Sequence, residues 1–287
     1  MTTTLDQKIL DSRLNLKNPY AHLDEDGYFT ALDLSKAGNF DTLTIDLNEI
    51  RCSKLLNKTI PYSEIENVVR NLHRHLWTSR ELILGKNAPV EPTDMLDPAL
   101  VFNLLGYKFD GAASLGQYRT GSGMAEIAGY IDPVNKYVGI SNQYRASTQS
   151  FTAAHELGHA VLHGNTVAMH RDRPLHHGAP FEGRDHKELE ADKFATYFLM
   201  PKKLVTKEFT DRFFDVPFEI TDDTAFLLTN KSKGEFKNNC QKRRDLAKLL
   251  AECGRYGRYT FVPLANQFNV STEAMAIRIE QLDLLAR

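Results

Sequence analysis

The stretch FTAAHELGHAVLHG, residues 151–164, constrains the fold more than any other part of the chain. Phe151, Ala153, Ala154, Val161 and Leu162 give it the apolar, alanine-rich character of a core helix. Into that helix the sequence sets His155, Glu156 and His159. Buried polar groups cost free energy unless they are partnered, so the surrounding fold must supply partners. Two imidazoles at i and i+4 share one helical face and can reach one metal ion. Glu156 lies about 100° round from His155 and flanks the same face. The pattern H-E-x-x-H is the zinc-hydrolase arrangement, with two ligands and a carboxylate beside the water on the metal. Zinc lowers the pKa of such a water from 15.7 to about 7. Glu156 is then placed to take its proton and pass it to a leaving amine. The plainer reading is an amphipathic helix with two solvated histidines.

A zinc hydrolase needs a third protein ligand. The stretch DHKELEADKFATYFLMP, residues 185–201, reads as a second helix ended by Pro201. Glu188, Ala191, Asp192, Ala195, Phe198 and Leu199 fall on one stripe of it. An inward carboxylate on such a stripe is costly unless paired or bound to metal, which makes Glu188 the expected third ligand. Asp192, one turn on, is placed to accept a hydrogen bond from a ligand histidine and fix its tautomer. Glu190 lies off the stripe and is the lesser candidate. The alternative is a surface helix with a charged face.

Composition narrows the class. The 287 residues are 42% hydrophobic and 25% charged, as for a globular chain with a sizeable core. The formal net charge of −2 gives no global attraction to nucleic acid or anionic membrane. No apolar run is long enough to span a bilayer, and the opening MTTTLDQKIL has no secretion signal. Cys52, Cys240 and Cys253, odd in number and far apart, read as thiols in a reducing compartment, so a cytoplasmic address is expected.

Three parts are expected: an N-terminal segment over 1–60, a peptidase part over 61–215 and a helical region over 216–287. TLTIDL (42–47) alternates like a short strand. Ser63 and Glu66 form a possible capping box ahead of a helix bearing Ile65, Val68, Val69, Leu72, Leu76 and Trp77. DPALVFNLLG (97–106) starts another helix and ends at Gly106. MAEIAGYID (124–132) and KYVGISNQ (136–143) read as two strands joined at DPVN. The His-, Arg-, Pro- and Gly-rich segment from about 164 to 185 reads as irregular.

At FTAAHELGHAVLH and ELEADKFATYFLMP the chain resembles the ImmA/IrrE metallopeptidases. Members of that family show a strand hairpin, then F-T-x-A-H-E-L-G-H-x-x-L-H, then E-x-E-A-[ND]-x-F-A-x-x-L-[LM]-M-P. The match runs over about 125–205. The resemblance implies an α+β, zincin-like core: a small antiparallel or mixed sheet with active-site helices, followed by a helical C-terminal region. It implies Zn2+ bound by His155, His159 and Glu188, with Glu156 as catalytic base and Asp192 behind a ligand. It also implies a protein substrate, since family members cut regulatory proteins, often helix-turn-helix repressors, under stress. In zincin-like folds a strand placed like KYVGISNQ forms a sheet edge beside the zinc, where a peptide can add as a strand. An oxyanion-stabilising group would come from Tyr144, Tyr197, His176, His177 or His186. His163 is expected at the helix end, where a cation suits the dipole.

FVPLANQFNVSTEAMAIRIEQLDLL (261–285) resembles a helix-turn-helix with Ser271 as N-cap. Residues 231–258 hold nine Lys/Arg against three acids, a local charge of +6 that points weakly to nucleic acid. Yet the second helix carries Glu273, Glu280 and Asp283 against Arg278 alone, which favours structural or partner-binding use. Two readings therefore stand: a zinc endopeptidase acting on a regulatory protein, and a zinc-stabilised regulator that cuts nothing. Glu156 separates them, because a structural site needs no base.

Overall fold

The computed structural model describes residues 59–112, 114–120, 123–164, 170–172 and 185–286. The expected strand at 42–47, Cys52, His176 and His177 lie outside them. The first helix, α1 (Tyr62–Leu84), buries Ile65, Val68, Val69, Leu72, Leu76, Ile83 and Leu84 along one face. The expected capping box is absent: Pro61 starts the helix, so Ser63 already sits in its first turn. Helix α2 (Pro98–Leu104) starts at Asp97, whose side chain accepts from the Ala99 amide at 2.8 Å. Gly106 follows with a φ of 76°, a left-handed stop that glycine adopts without strain.

Six strands come next: β1 (Lys108–Ala112), β2 (Gln117–Thr120), β3 (Gly123–Glu126), β4 (Gly129–Asp132), β5 (Tyr137–Ser141) and β6 (His170–Asp172). The main sheet runs β1-β5-β4-β6, with β1 parallel to β5 and the other pairs antiparallel. The expected β4–β5 hairpin forms, with Ile131 opposite Val138. MAEIAGYID is not one strand, however. Its first half is β3, which pairs with β2 in a separate ribbon, and only Gly129–Asp132 joins the main sheet.

Two further expectations need correction. KYVGISNQ is not an edge: β5 is hydrogen-bonded to β1 on one side and β4 on the other. Its residues 138–141 are buried, which matches the unbroken apolar run of an interior strand. Within the segment read as irregular, His170–Asp172 forms β6 and extends the sheet beyond β4.

Helix α3 (Ala146–Gly158) lies against β4 and β5, α4 (His186–Leu199) against α3, and α1 against α4. Gly158 permits the α3–α4 contact. A Cβ there would stand 3.0 Å from the Ala191 Cα and 3.1 Å from the Phe194 Cβ. The chain is thus an α+β fold with a small mixed sheet and helices packed behind it.

The C-terminal region adds α5 (Lys202–Phe213), α6 (Asp222–Thr229), α7 (Lys233–Asn239), α8 (Arg243–Glu252), the two-residue strands β7 (Arg255–Tyr256) and β8 (Tyr259–Thr260), α9 (Leu264–Gln267) and α10 (Thr272–Gln281). Ser271 caps α10 by accepting from the Ala274 amide. Arg278 of α10 is buried; its Nε donates to the Met200 carbonyl at 3.0 Å and its guanidinium lies over Tyr197. Among the described residues no helix is long and apolar enough to cross a membrane.

Candidate functional site

Helix α3 is buried on nearly every side, and His155, Glu156 and His159 are each 1% exposed or less. Three buried polar side chains on one helix demand compensation. Helix α4 supplies part of it. The His155 and His159 Nε2 atoms lie 3.1 Å apart. Glu188 brings one carboxylate oxygen 3.4 Å from the His155 Nε2 and the other 3.4 Å from the His159 Nε2. Donors about 2.0–2.2 Å from a tetrahedral ion sit roughly 3.3–3.6 Å apart. The His155, His159 and Glu188 atoms therefore have the spacing of one face of such an ion's coordination shell. Two imidazoles and one carboxylate are also the ligand chemistry zinc accepts at a site with an open position.

The other ring nitrogens face acceptors. The His155 Nδ1 is 2.9 Å from the Asp192 Oδ1. A carboxylate there makes Nδ1 the protonated nitrogen, so the Nε2 lone pair points at the Glu188 cluster. Asp192 and Glu188 stand one turn apart on α4, as the stripe in the sequence implies.

At the next turn α3 widens into a π-turn over His159–His163. Such widenings frequently occur at functional sites. His163 stands at the helix end, as expected, but not as a cation facing the dipole. It is buried, 3.1 Å from the His159 Nδ1 and 2.9 Å from Glu190. Burial pushes its pKa down, against the opposing pull of Glu190, which is the reverse of a dipole-stabilised cation. Glu190, set aside in the sequence as off the stripe, is 3% exposed and also accepts from the Ile60 amide at 2.7 Å. The H-x-x-x-H spacing of His159 and His163 is the sequence signal for their own contact, and it carries nothing about Glu190.

Strand β4 forms the wall beside Glu156. A Cβ at Gly129 would meet the Thr152 Cγ2 at 2.5 Å and the Glu156 Oε1 at 2.9 Å. Only glycine lets the sheet come this close to the glutamate. Of the other residues considered, the Tyr144 hydroxyl donates to the Glu126 carbonyl at 2.8 Å. Tyr197 packs on Arg278, with its pKa raised by burial. His186 is exposed at the start of α4.

On an α+β core, His155, His159 and Glu188 form a group that could hold a metal ion. Residues 118–216 match the model of the Peptidase M78 family, described as the IrrE N-terminal-like domain. The chain is also 37% identical over 86 residues to the "Uncharacterized immunity region protein 2" of Bacillus phage phi105. That match covers 29% of this chain and 50% of the phage protein, so the chain spans about half the length of this curated relative. No solved structure gives a significant match.

Proposed function

We propose that the chain is a zinc-dependent endopeptidase that cleaves a regulatory protein, with His155, His159 and Glu188 as metal ligands, Asp192 behind His155 and Glu156 as general base. The observation that carries this is the mutual approach of the three donors at 3.1–3.4 Å beside a glutamate that is fully buried. When bound, zinc acidifies a water and polarises a carbonyl. Glu156, on the wall against Gly129, accepts the proton from the attacking water and returns it to the leaving amine. Asp192 holds the His155 Nδ1 proton and so keeps the ring in its ligating orientation. The burial of His155, Glu156 and His159 limits the access of bulk water to the cluster.

The family supports a protein substrate. The name of the phage relative ties that protein to an immunity region, which supports a regulatory protein as the substrate. The charged face of α10 is already engaged within the chain. Arg244 of α8 pairs with Glu273 at 2.5 Å and Glu280 at 2.6 Å, and Lys248 with Glu273 at 2.6 Å. These pairs neutralise part of the local basic excess and favour a structural role for the C-terminal helices over DNA contact.

Two measurements test the reading. Metal analysis should give one zinc per chain, lost in His155→Ala and Glu188→Ala but kept at saturation in Glu190→Ala. Incubation with helix-turn-helix regulators encoded near the gene should yield fragments, and a chelator should stop it. Full zinc in Glu188→Ala would remove the ligand assignment.

A further inference from the structure

The buried His163–Glu190 pair plays no part in the chemistry above, and its hydrogen bonds can be ordered from either end. At one end, the Ile60 N–H can only donate, and it does so to the Glu190 Oε1 at 2.7 Å. The other oxygen, Oε2, lies 2.9 Å from the His163 Nε2. A carboxylate at that distance places the proton on Nε2, which leaves the His163 Nδ1 as an acceptor. That Nδ1 is 3.1 Å from the His159 Nδ1, which must therefore be the donor. The remaining nitrogen of His159, Nε2, then presents its lone pair toward His155 and Glu188. At the other end, a metal held by the His159 Nε2 demands the same tautomer of His159. Both ends thus require the same tautomers of His159 and His163.

We infer that His163 and Glu190 are positioning residues: with the Ile60 amide they form a proton-ordered chain that holds His159 as an Nε2 ligand and links the metal centre to the backbone at residue 60. The inference rests on the proposed metal site. The π-turn brings the two Nδ1 atoms together, and helix α4 carries both Glu188, on the metal, and Glu190, two residues on, at the far end of the chain. Coupling of this kind is reciprocal: what fixes the Ile60 amide on Glu190 favours the metal, and the metal favours that contact.

Glu190→Gln tests the order of the protons. A carboxamide offers one acceptor and one donor to two donors, Ile60 N–H and His163 Nε2–H. To satisfy both, His163 must move its proton to Nδ1, where it meets the Nδ1–H of His159. Zinc should still bind at saturation, but its Kd should rise by about 10- to 100-fold, the usual effect of losing such a partner. His163→Phe, which keeps the bulk and removes the acceptor, should do the same. Independently of any variant, long-range 1H–15N spectra of the zinc-loaded full chain should show His163 protonated at Nε2 and His159 at Nδ1. Hydrogen exchange at the Ile60 amide should slow on zinc loading in the wild-type chain and lose that dependence in Glu190→Gln. A merely structural Glu190 would protect Ile60 equally with and without metal. A wild-type Kd in Glu190→Gln, or an Nδ1–H tautomer of His163 in the zinc form, would overturn the inference while leaving the peptidase reading intact. A wild-type chain that takes up no zinc would remove both.

Discussion

Gly129 shows how narrow the tolerances around Glu156 are. Its missing Cβ leaves room for Thr152 and Glu156, and a methyl placed there stands 2.5 Å from the Thr152 Cγ2. Gly129→Ala is therefore expected to displace Glu156 and cut turnover by at least about tenfold, because a misplacement near 1 Å can cost 100-fold. Zinc content should stay at one per chain. Adding Thr152→Ser, which deletes the clashing methyl, should restore part of the rate. Turnover of Gly129→Ala at the wild-type level would show that the close approach is immaterial. At this scale the sequence is most readable where periodicity is local. The i,i+4 spacing of His155 and His159 and the one-turn spacing of Glu188 and Asp192 can be seen without a structure, since helix geometry alone brings those side chains to a common face. The His163–Glu190 contact is not readable in the same way. It depends on a π-turn and on the angle at which Gly158 lets α4 cross α3, and neither leaves a periodic signal.

Elements bring in pairings between distant segments, and there the sequence misleads. KYVGISNQ has the composition of a strand, but nothing local tells whether its second neighbour exists. The parallel partner β1 lies beyond three other strands along the chain, so β5 proves interior. Ile140→Pro removes a ladder donor from a strand paired on both sides and is expected to abolish folding, with loss of both circular dichroism signal and zinc. A folded, zinc-loaded Ile140→Pro protein would contradict this placement of β5. Packing between α1 and α4 sets a second test. The ring of His73 of α1 lies 5.1 Å from that of Phe198 of α4, tilted by 37°, and its Nε2 has no hydrogen-bond partner among the described residues. Burial lowers its pKa from 6.5 to about 4, partly offset by its bond to the Phe198 backbone. The unfolded chain therefore takes up a proton from about pH 6.5 downward while the folded chain resists until about pH 4. The folded state keeps its full advantage above pH 6.5 and loses up to about 3 kcal/mol as pH falls to 4. His73→Leu should flatten that part of the stability curve in urea titrations at pH 4 to 7. An unchanged slope would mean that His73 is not held neutral.

For the whole molecule, the C-terminal helices are joined to the preceding α+β part and to one another by buried polar contacts. Arg278 reaches the Met200 carbonyl, and Arg212 of α5 reaches the Val262 carbonyl at 3.1 Å and the Gln267 side chain. Phe209, Phe213 and Phe218 are each 1% exposed or less and fill the space between, with Tyr256 packed against Phe213 and Phe218. The helix-turn-helix resemblance is thus met by two helices with a real N-cap at Ser271, while the one arginine that could have reached a phosphate from α10 is turned inward. The zinc-peptidase reading concerns the chain as a unit, because α1 and the residue-60 backbone on one side and α4 on the other all meet behind the two histidines. Glu156→Gln tests that reading most directly, since it removes the proton acceptor and leaves the three proposed ligands untouched. The variant should hold one zinc per chain, keep the wild-type circular dichroism spectrum and yield no fragments of a regulator that the wild-type enzyme cuts. Fragments formed at the wild-type rate by zinc-loaded Glu156→Gln would contradict the account.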